Sequence, residues 1–128
     1  MRAMPRGVVV GVYFGELITR SEHRERIAAG CNMRYVLCLL DHTDAELMDE
    51  FAMTWPGMGC YIDSFDESLS SWCRFINHAA ENSSACNLSV RADAFASLAW
   101  FEASRDIAAG EELCFDYGPE YARDFGLD

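Results

Sequence analysis

Hydrophobic and polar positions alternate along this chain in short bursts, and no helical stripe lasts long enough to build a bundle. "GVVVGVYFGELI", Gly7 to Ile18, is dense in β-branched and aromatic residues broken by glycine, which predicts one or two strands. The polar stretch "TRSEHRERIAAG" follows. In it Thr19 and Glu22 form a capping box and Gly30 a stop, so the pattern predicts a short helix. "MRYVLCLL" predicts an apolar strand ending at Asp41, and Thr43 with Glu46 predicts the cap of a second helix, about Ala45 to Met53. The Trp-Pro-Gly turn at 55–57 closes it. "CYIDS" then reads as a short strand, and "ESLSSWCRFI" as a helical turn entering a loop at Asn77 and His78. "NLSVRAD" alternates as a half-buried strand does, and "SLAWFEAS" is another strand. "RDIAAGEELCFDYG" gives a turn at Ala109-Gly110, a strand from Glu112 to Phe115 and a glycine exit. The sum is mainly β with short helices, neither a wound α/β sheet nor a bundle.

Composition narrows the class. The 128 residues suit a single domain spanning 1–128, and 51% hydrophobic content excludes a disordered chain. No apolar run approaches the ~20 residues of a membrane helix. The opening "MRAMPRGVVVGVYFGEL" lacks the apolar region and cleavage site of a signal peptide, so an intracellular protein with no membrane contact is expected. Ten Lys+Arg against 21 Asp+Glu give a net charge of -11, which argues against direct nucleic-acid binding, since that affinity comes from clustered cations. An acidic surface suits a basic protein or peptide, or serves solubility alone. The six cysteines, at 31, 38, 60, 73, 86 and 114, include no C-x-x-C pair, so no metal site is expected and the thiols read as free and buried.

"CRFINHAAENSSACNLSV", Cys73 to Val90, places Asn77 and His78 side by side, a dense set of donors and acceptors that a fold must satisfy or use. With "GVYFGELIT" before it and "RDIAAGEELCFDYG" after it, this stretch resembles the SET domain of protein lysine methyltransferases, over about Gly7 to Tyr121. The resemblance implies a β-clip fold of small sheets with a C-terminal pseudo-knot, the last strand threading beneath the Asn-His loop. Such threading is rare among folds. It also implies an enzyme that transfers methyl from S-adenosyl-L-methionine to a lysine ε-amine of a basic protein or peptide such as a histone. A monomer is expected, nuclear for a histone substrate and otherwise cytoplasmic.

The same resemblance distributes roles. Tyr117, in "FDYG", matches the catalytic tyrosine, its hydroxyl near the methyl group and orienting the amine. Asn77 and His78 match the cofactor-binding pair, acting largely through backbone groups at the adenine and ribose end. Arg74 either lies against the cofactor or braces the acidic surface. Tyr13 matches a tyrosine lining the lysine channel, and Asn87 a structural asparagine of the loop. Phe115 stands where the family varies between Phe and Tyr. Phenylalanine there leaves room for a second and third methyl group, whereas tyrosine holds a water that favours monomethylation. Each tyrosine and phenylalanine also reads as an ordinary core residue of a strand.

Departures are visible too. After Asn-His the family continues Ser-Cys-x-Pro-Asn, where this chain has "AAENSSACN", longer and without proline. No cysteine cluster follows Tyr121, and "MRAMPR" does not supply the Gly-x-Gly segment that holds the methionine end of the cofactor. The chain as given is therefore expected to bind cofactor weakly, with upstream residues restoring affinity. Two readings follow: a lysine methyltransferase, or a catalytically weak SET-like module that binds a basic partner. A Cys/His hydrolase finds no support, because His78 has no cysteine partner with a family-like signature.

Overall fold

The computed structural model describes residues 2–41 and 43–118, so the expectations for Tyr121 and the segment after it lie outside the described residues. In chain order the elements are β1 (Val9–Val12), β2 (Glu16–Ile18), α1 (Arg20–Ala28), β3 (Val36–Cys38), α2 (Ala45–Thr54) and β4 (Tyr61–Asp63). Two single-turn 3-10 helices follow, Glu67–Leu69 and Trp72–Phe75. Then come β5 (Asn77–His78), β6 (Leu88–Asp93), β7 (Leu98–Ala103) and β8 (Cys114–Phe115). The strands form two small sheets, one ordered β1-β7-β6-β8-β5 and one ordered β2-β4-β3. By packing, the described residues divide into two compact units: Val12–Arg74 with Ala92–Ala99, and residues 2–11 with Phe75–Arg91 and residues 100–118.

In the first unit β4 is the central strand, antiparallel to β2 (Leu17 opposite Ile62) and to β3 (Leu37 opposite Ile62). Flanked on both edges, Tyr61, Ile62 and Asp63 are all buried. The strand predicted over 33–40 shortens to Val36–Cys38, the residues in register with Tyr61–Asp63 of β4. Helix α1 starts as predicted: the Thr19 hydroxyl accepts from Glu22 N–H at 3.1 Å, and the Glu22 carboxylate accepts from Thr19 N–H at 3.0 Å. It buries no residue, so its anchors are polar. Arg26 reaches Glu16 at 2.9 Å and Asp63 at 2.8 Å, and the His23 ring stacks on Tyr61 at 3.8 Å.

Helix α2 starts at Ala45 as predicted, but its cap differs. Asp44, not Thr43, accepts from Leu47 N–H at 3.0 Å, while Thr43 bonds Asp41. A carboxylate at a helix N-terminus satisfies the same free N–H groups and meets the positive end of the helix dipole as well. The helix buries Met48 and Phe51. Gly15 is required by close approach, since a Cβ there would lie 2.5 Å from the carbonyl oxygen of Asp63.

The core of the second unit is Ile76, Leu88, Phe101, Ala103, Ile107, Cys114 and Phe115. Phe101 is fully enclosed, and its burial contributes roughly 2–3 kcal/mol. Strand β6 buries Leu88 and leaves Val90 exposed; regular in-out alternation falls on β7 instead. Strand β8 lies between β5 and β6 and runs parallel to both, with Asn77 opposite Cys114, His78 opposite Phe115, and Leu88 opposite Phe115. It begins at Cys114 rather than Glu112, whose carbonyl is taken by the Asn87 side chain.

Candidate active site

The Asn77-His78 pair and the "FDYG" segment meet through β5 and β8. Tyr117 donates its N–H to Nδ1 of His78 at 3.0 Å, and its hydroxyl donates to the carbonyl of Ile76. Ala79 N–H closes the pair on Phe115 O at 3.0 Å. A backbone N–H can only donate, so Nδ1 carries the lone pair and the His78 proton sits on Nε2; the hydrogen bond assigns this tautomer. Asp116 Oδ1 is 3.9 Å from Nδ1, a separation that would suit an imidazolium. That distance is too long for a hydrogen bond, however, and the Asp116 oxygens already accept from Glu81 N–H at 2.9 Å and Gly118 N–H at 2.7 Å. Gly118, at φ +98°, supplies a turn that L side chains rarely adopt.

Aromatic rings line the same place. Phe115 lies 4.7 Å from Phe101 and 4.7 Å from Tyr117, and His78 lies 5.2 Å from Tyr117, all tilted. Asn87 is wholly buried: its Nδ2 donates to Glu112 O at 2.8 Å and its Oδ1 accepts from Cys114 N–H at 2.9 Å. It thus carries the strand leading to Tyr117. Asn77 is exposed and donates to Glu112 Oε1 at 2.7 Å.

The loop that lacks the family proline is held by hydrogen bonds. Ser83 N–H reaches Ala80 O at 2.8 Å, Ala85 N–H reaches the Ser83 hydroxyl at 3.1 Å, and Arg105 holds Ser84 O at 2.9 Å. Arg105 also pairs with Glu111, whose carboxyl is held down to about 2, first by that bond and then by Ala108 N–H.

The other predicted residues belong to the first unit. Tyr13 is buried, 6% exposed, and its hydroxyl donates to Tyr35 O at 2.5 Å. Arg74 is 8% exposed and donates to Phe65 O at 3.1 Å, pairs with Glu67 at 3.1 Å, and stacks 4.1 Å from the Tyr35 ring centroid. Sequence reasoning missed Asp116, Tyr35 and the carbonyl of Ile76. Asp116 sits inside the quoted "FDYG", so its motif was the available signal. A backbone carbonyl has none.

A mainly β protein of two small sheets, with an Asn-His strand paired to a short strand that ends two residues before Tyr117, defines the class. The SET domain profile matches residues 1–118, and the chain belongs to that family. N-lysine methyltransferase KMT5A-A of Danio rerio is 33% identical over 91 residues, covering 62% of this chain and 26% of its own length. Histone-lysine N-methyltransferase SETMAR of Rattus norvegicus is 29% identical over 121 residues, covering 92% of this chain and 34% of its own. Among solved structures, Arabidopsis thaliana SUVH6 in complex with SAM superposes with a TM-score of 0.63 at 28% identity, over 91% of this chain and 23% of that one. The chain therefore spans about a quarter to a third of the length of the curated relatives it matches.

Proposed function

We propose that this chain is the methyl-transferring domain of an S-adenosylmethionine-dependent protein lysine methyltransferase acting on a basic, histone-like peptide. The observation that carries the reading is the bonding of His78 and Ile76 to Tyr117, which fixes one phenol at the end of the Asn-His strand. Family membership and relatives named as lysine methyltransferases support it. SUVH6, solved with SAM, supports the cofactor. The net charge of -11 supports a basic substrate, and a histone substrate implies a nuclear protein. Among the described residues no helix is long and apolar enough to cross a membrane.

The donor set fits an adenosine group. Asn77 is exposed and amide-bearing, His78 in its assigned tautomer bears a donor on Nε2, and tilted aromatic rings lie beside them. When bound, S-adenosylmethionine supplies an electrophilic methyl on a sulfonium. Asn77, His78 and Tyr117 would hold it. The Ile76 carbonyl and the Tyr117 oxygen offer weak C–H···O acceptors, a second-order contribution. Because the Tyr117 proton is committed to Ile76, its oxygen lone pairs face any approaching N–H and orient the amine. A free lysine has a pKa of about 10.4, and an apolar aromatic setting favours its neutral, nucleophilic form. Alignment then does most of the work.

The ten cationic residues of the chain are all arginine, so it offers no lysine of its own and any methyl-lysine formed lies in the added peptide. Incubation with methyl-labelled cofactor and a lysine-bearing basic peptide should label the peptide, and its lysine-to-arginine counterpart should stay unlabelled. Tight peptide binding without any label would instead favour the interaction-module reading.

A further inference from the structure

We propose that Arg105 is a positioning residue for the cofactor site: it holds the proline-free loop between β5 and β6, and so sets how tightly the Asn77-His78 strand takes the adenosine group. The inference rests on the methyltransferase reading above. The loop leaves β5 after His78 and returns at Asn87, just before β6. Its start is tied to the β8 segment, with Ala79 N–H on Phe115 O at 3.0 Å and Glu81 N–H on Asp116 Oδ2 at 2.9 Å. Its end is tied by Asn87, whose N–H donates to Cys114 O at 3.1 Å. Residues 82–85 lie between these ties. Among the described residues, Arg105 makes the one hydrogen bond that joins them to anything outside the loop, from Nη2 to Ser84 O at 2.9 Å.

Arg105 is itself held in place. Its Nη1 donates to Asp106 O at 2.9 Å, and its Nη2 also reaches Glu111 Oε1. The other Glu111 oxygen accepts from Ala108 N–H at 2.9 Å, and Glu111 N–H closes the turn on Ala108 O at 3.1 Å. The bonds thus run from a closed turn, through one guanidinium, to one loop carbonyl. A planar fork makes these bonds together, a geometry that a lysine ammonium on a flexible stem does not reproduce. The Arg105 and Glu111 side chains are 38% and 28% exposed. An ion pair so open to water adds little to global stability. Its loss therefore frees the loop and leaves the rest of the fold standing.

The consequence concerns cofactor affinity. A loop without proline keeps more backbone freedom, because proline alone locks its own φ. The groups proposed to meet the adenosine, at Asn77 and His78, open directly into this loop. A cofactor that binds only the ordered loop has its apparent affinity lowered by the fraction of time the loop is out of place. Arg105 raises the ordered fraction before the cofactor arrives, which is preorganisation rather than contact. The transfer step itself does not involve it.

Three variants test this. Arg105→Ala removes the fork, and Arg105→Lys keeps the charge beside Glu111. Arg91→Ala removes an arginine of the same unit that pairs with Glu102 at 3.7 Å, away from the loop. Loop order is read from the 15N order parameters of Ser83, Ser84 and Ala85 without cofactor, and affinity by calorimetry with S-adenosylhomocysteine. Arg105→Ala should lower the order parameters and weaken binding about 5- to 20-fold, as for a loop ordered only a small fraction of the time. The KM for S-adenosylmethionine should rise in step, while kcat at saturating cofactor stays within about twofold of wild type. Arg105→Lys should fall between wild type and Arg105→Ala, and Arg91→Ala should match wild type. Unchanged order parameters in Arg105→Ala overturn the proposal. So does a loosened loop with unchanged affinity, or an equal loss of affinity in Arg91→Ala. A wild-type chain that binds S-adenosylhomocysteine but transfers no methyl group defeats the methyltransferase reading alone; one that does not bind it defeats the claim on affinity as well.

Discussion

The N–H of Tyr117 donates to Nδ1 of His78 at 3.0 Å, so the side chain of the Asn-His strand grips the backbone of the tyrosine proposed to do the chemistry. With the Tyr117 hydroxyl bonded to Ile76 O, that residue is held at both ends. His78 thus has a use for its imidazole besides whatever its backbone binds.

His78→Ala should lower kcat by about 10- to 100-fold by removing one anchor of an aligned group. His78→Asn should recover part of the loss, because its Oδ1 can take the place of Nδ1 as acceptor for the Tyr117 N–H. Steady-state kinetics on a lysine peptide checks this. Equal losses in the two variants would argue against the anchor.

Phe115 is 8% exposed and packed between Phe101 and Tyr117 at 4.7 Å each, so a hydroxyl added there enters a confined aromatic space. The wild-type chain should give di- and trimethyl-lysine, and Phe115→Tyr should shift the product towards monomethyl. The variant should also lose about 1–3 kcal/mol of stability unless the new hydroxyl finds a partner. Intact-peptide mass spectrometry at long incubation decides the first point and denaturant unfolding the second.

Asn87→Ala should destabilise the fold by about 2–5 kcal/mol, since it strands the Glu112 carbonyl and the buried Cys114 N–H. Asn87→Asp keeps an acceptor for Cys114 but faces the Glu112 carbonyl with a second acceptor, so it should rescue little. Urea titration of both variants supplies the numbers, and near-wild-type stability in the alanine variant would contradict the clamp.

Glu111 gives a pH prediction. Its carboxyl, held down to about 2 by Arg105 and then by Ala108 N–H, binds its proton less readily when folded than the ordinary 4.5 implies. The stabilisation it contributes is therefore fully present above about pH 4.5 and fades as pH falls towards 2. A 13C titration of the Glu111 carboxyl should show a midpoint well below 4.5, and Arg105→Ala should raise it part of the way back, since the bond from Ala108 N–H remains.

How much of this was legible depends on how local its cause is. The Thr19-Glu22 capping box, the strand at Tyr61–Asp63 and the turn before Gly110 follow from neighbours in sequence, and each could be read there. Asn77, His78, Phe115 and Tyr117 were singled out by motif resemblance, and the pairing of β5 with β8 brings their segments together. The roles of Asp116 and Tyr35 were not legible. One depends on a parallel pairing between distant segments, the other on a backbone carbonyl that any residue type could present. The cap of α2 moved from Thr43 to Asp44 because two good capping residues stand side by side and only the geometry of Leu47 N–H chooses between them.

The most direct measurement is methyl transfer by Tyr117→Phe, made alongside wild type with labelled cofactor and a basic lysine peptide. The substitution removes one hydroxyl, the one bonded to Ile76 O, and leaves the Tyr117 N–H on His78 in place. Turnover should fall about 100-fold or more, as expected when a group aligned at the reacting centre is lost, while the melting temperature stays within a few degrees of wild type. Turnover equal to wild type in a folded Tyr117→Phe chain would show that this hydroxyl is not part of the chemistry and would contradict the account.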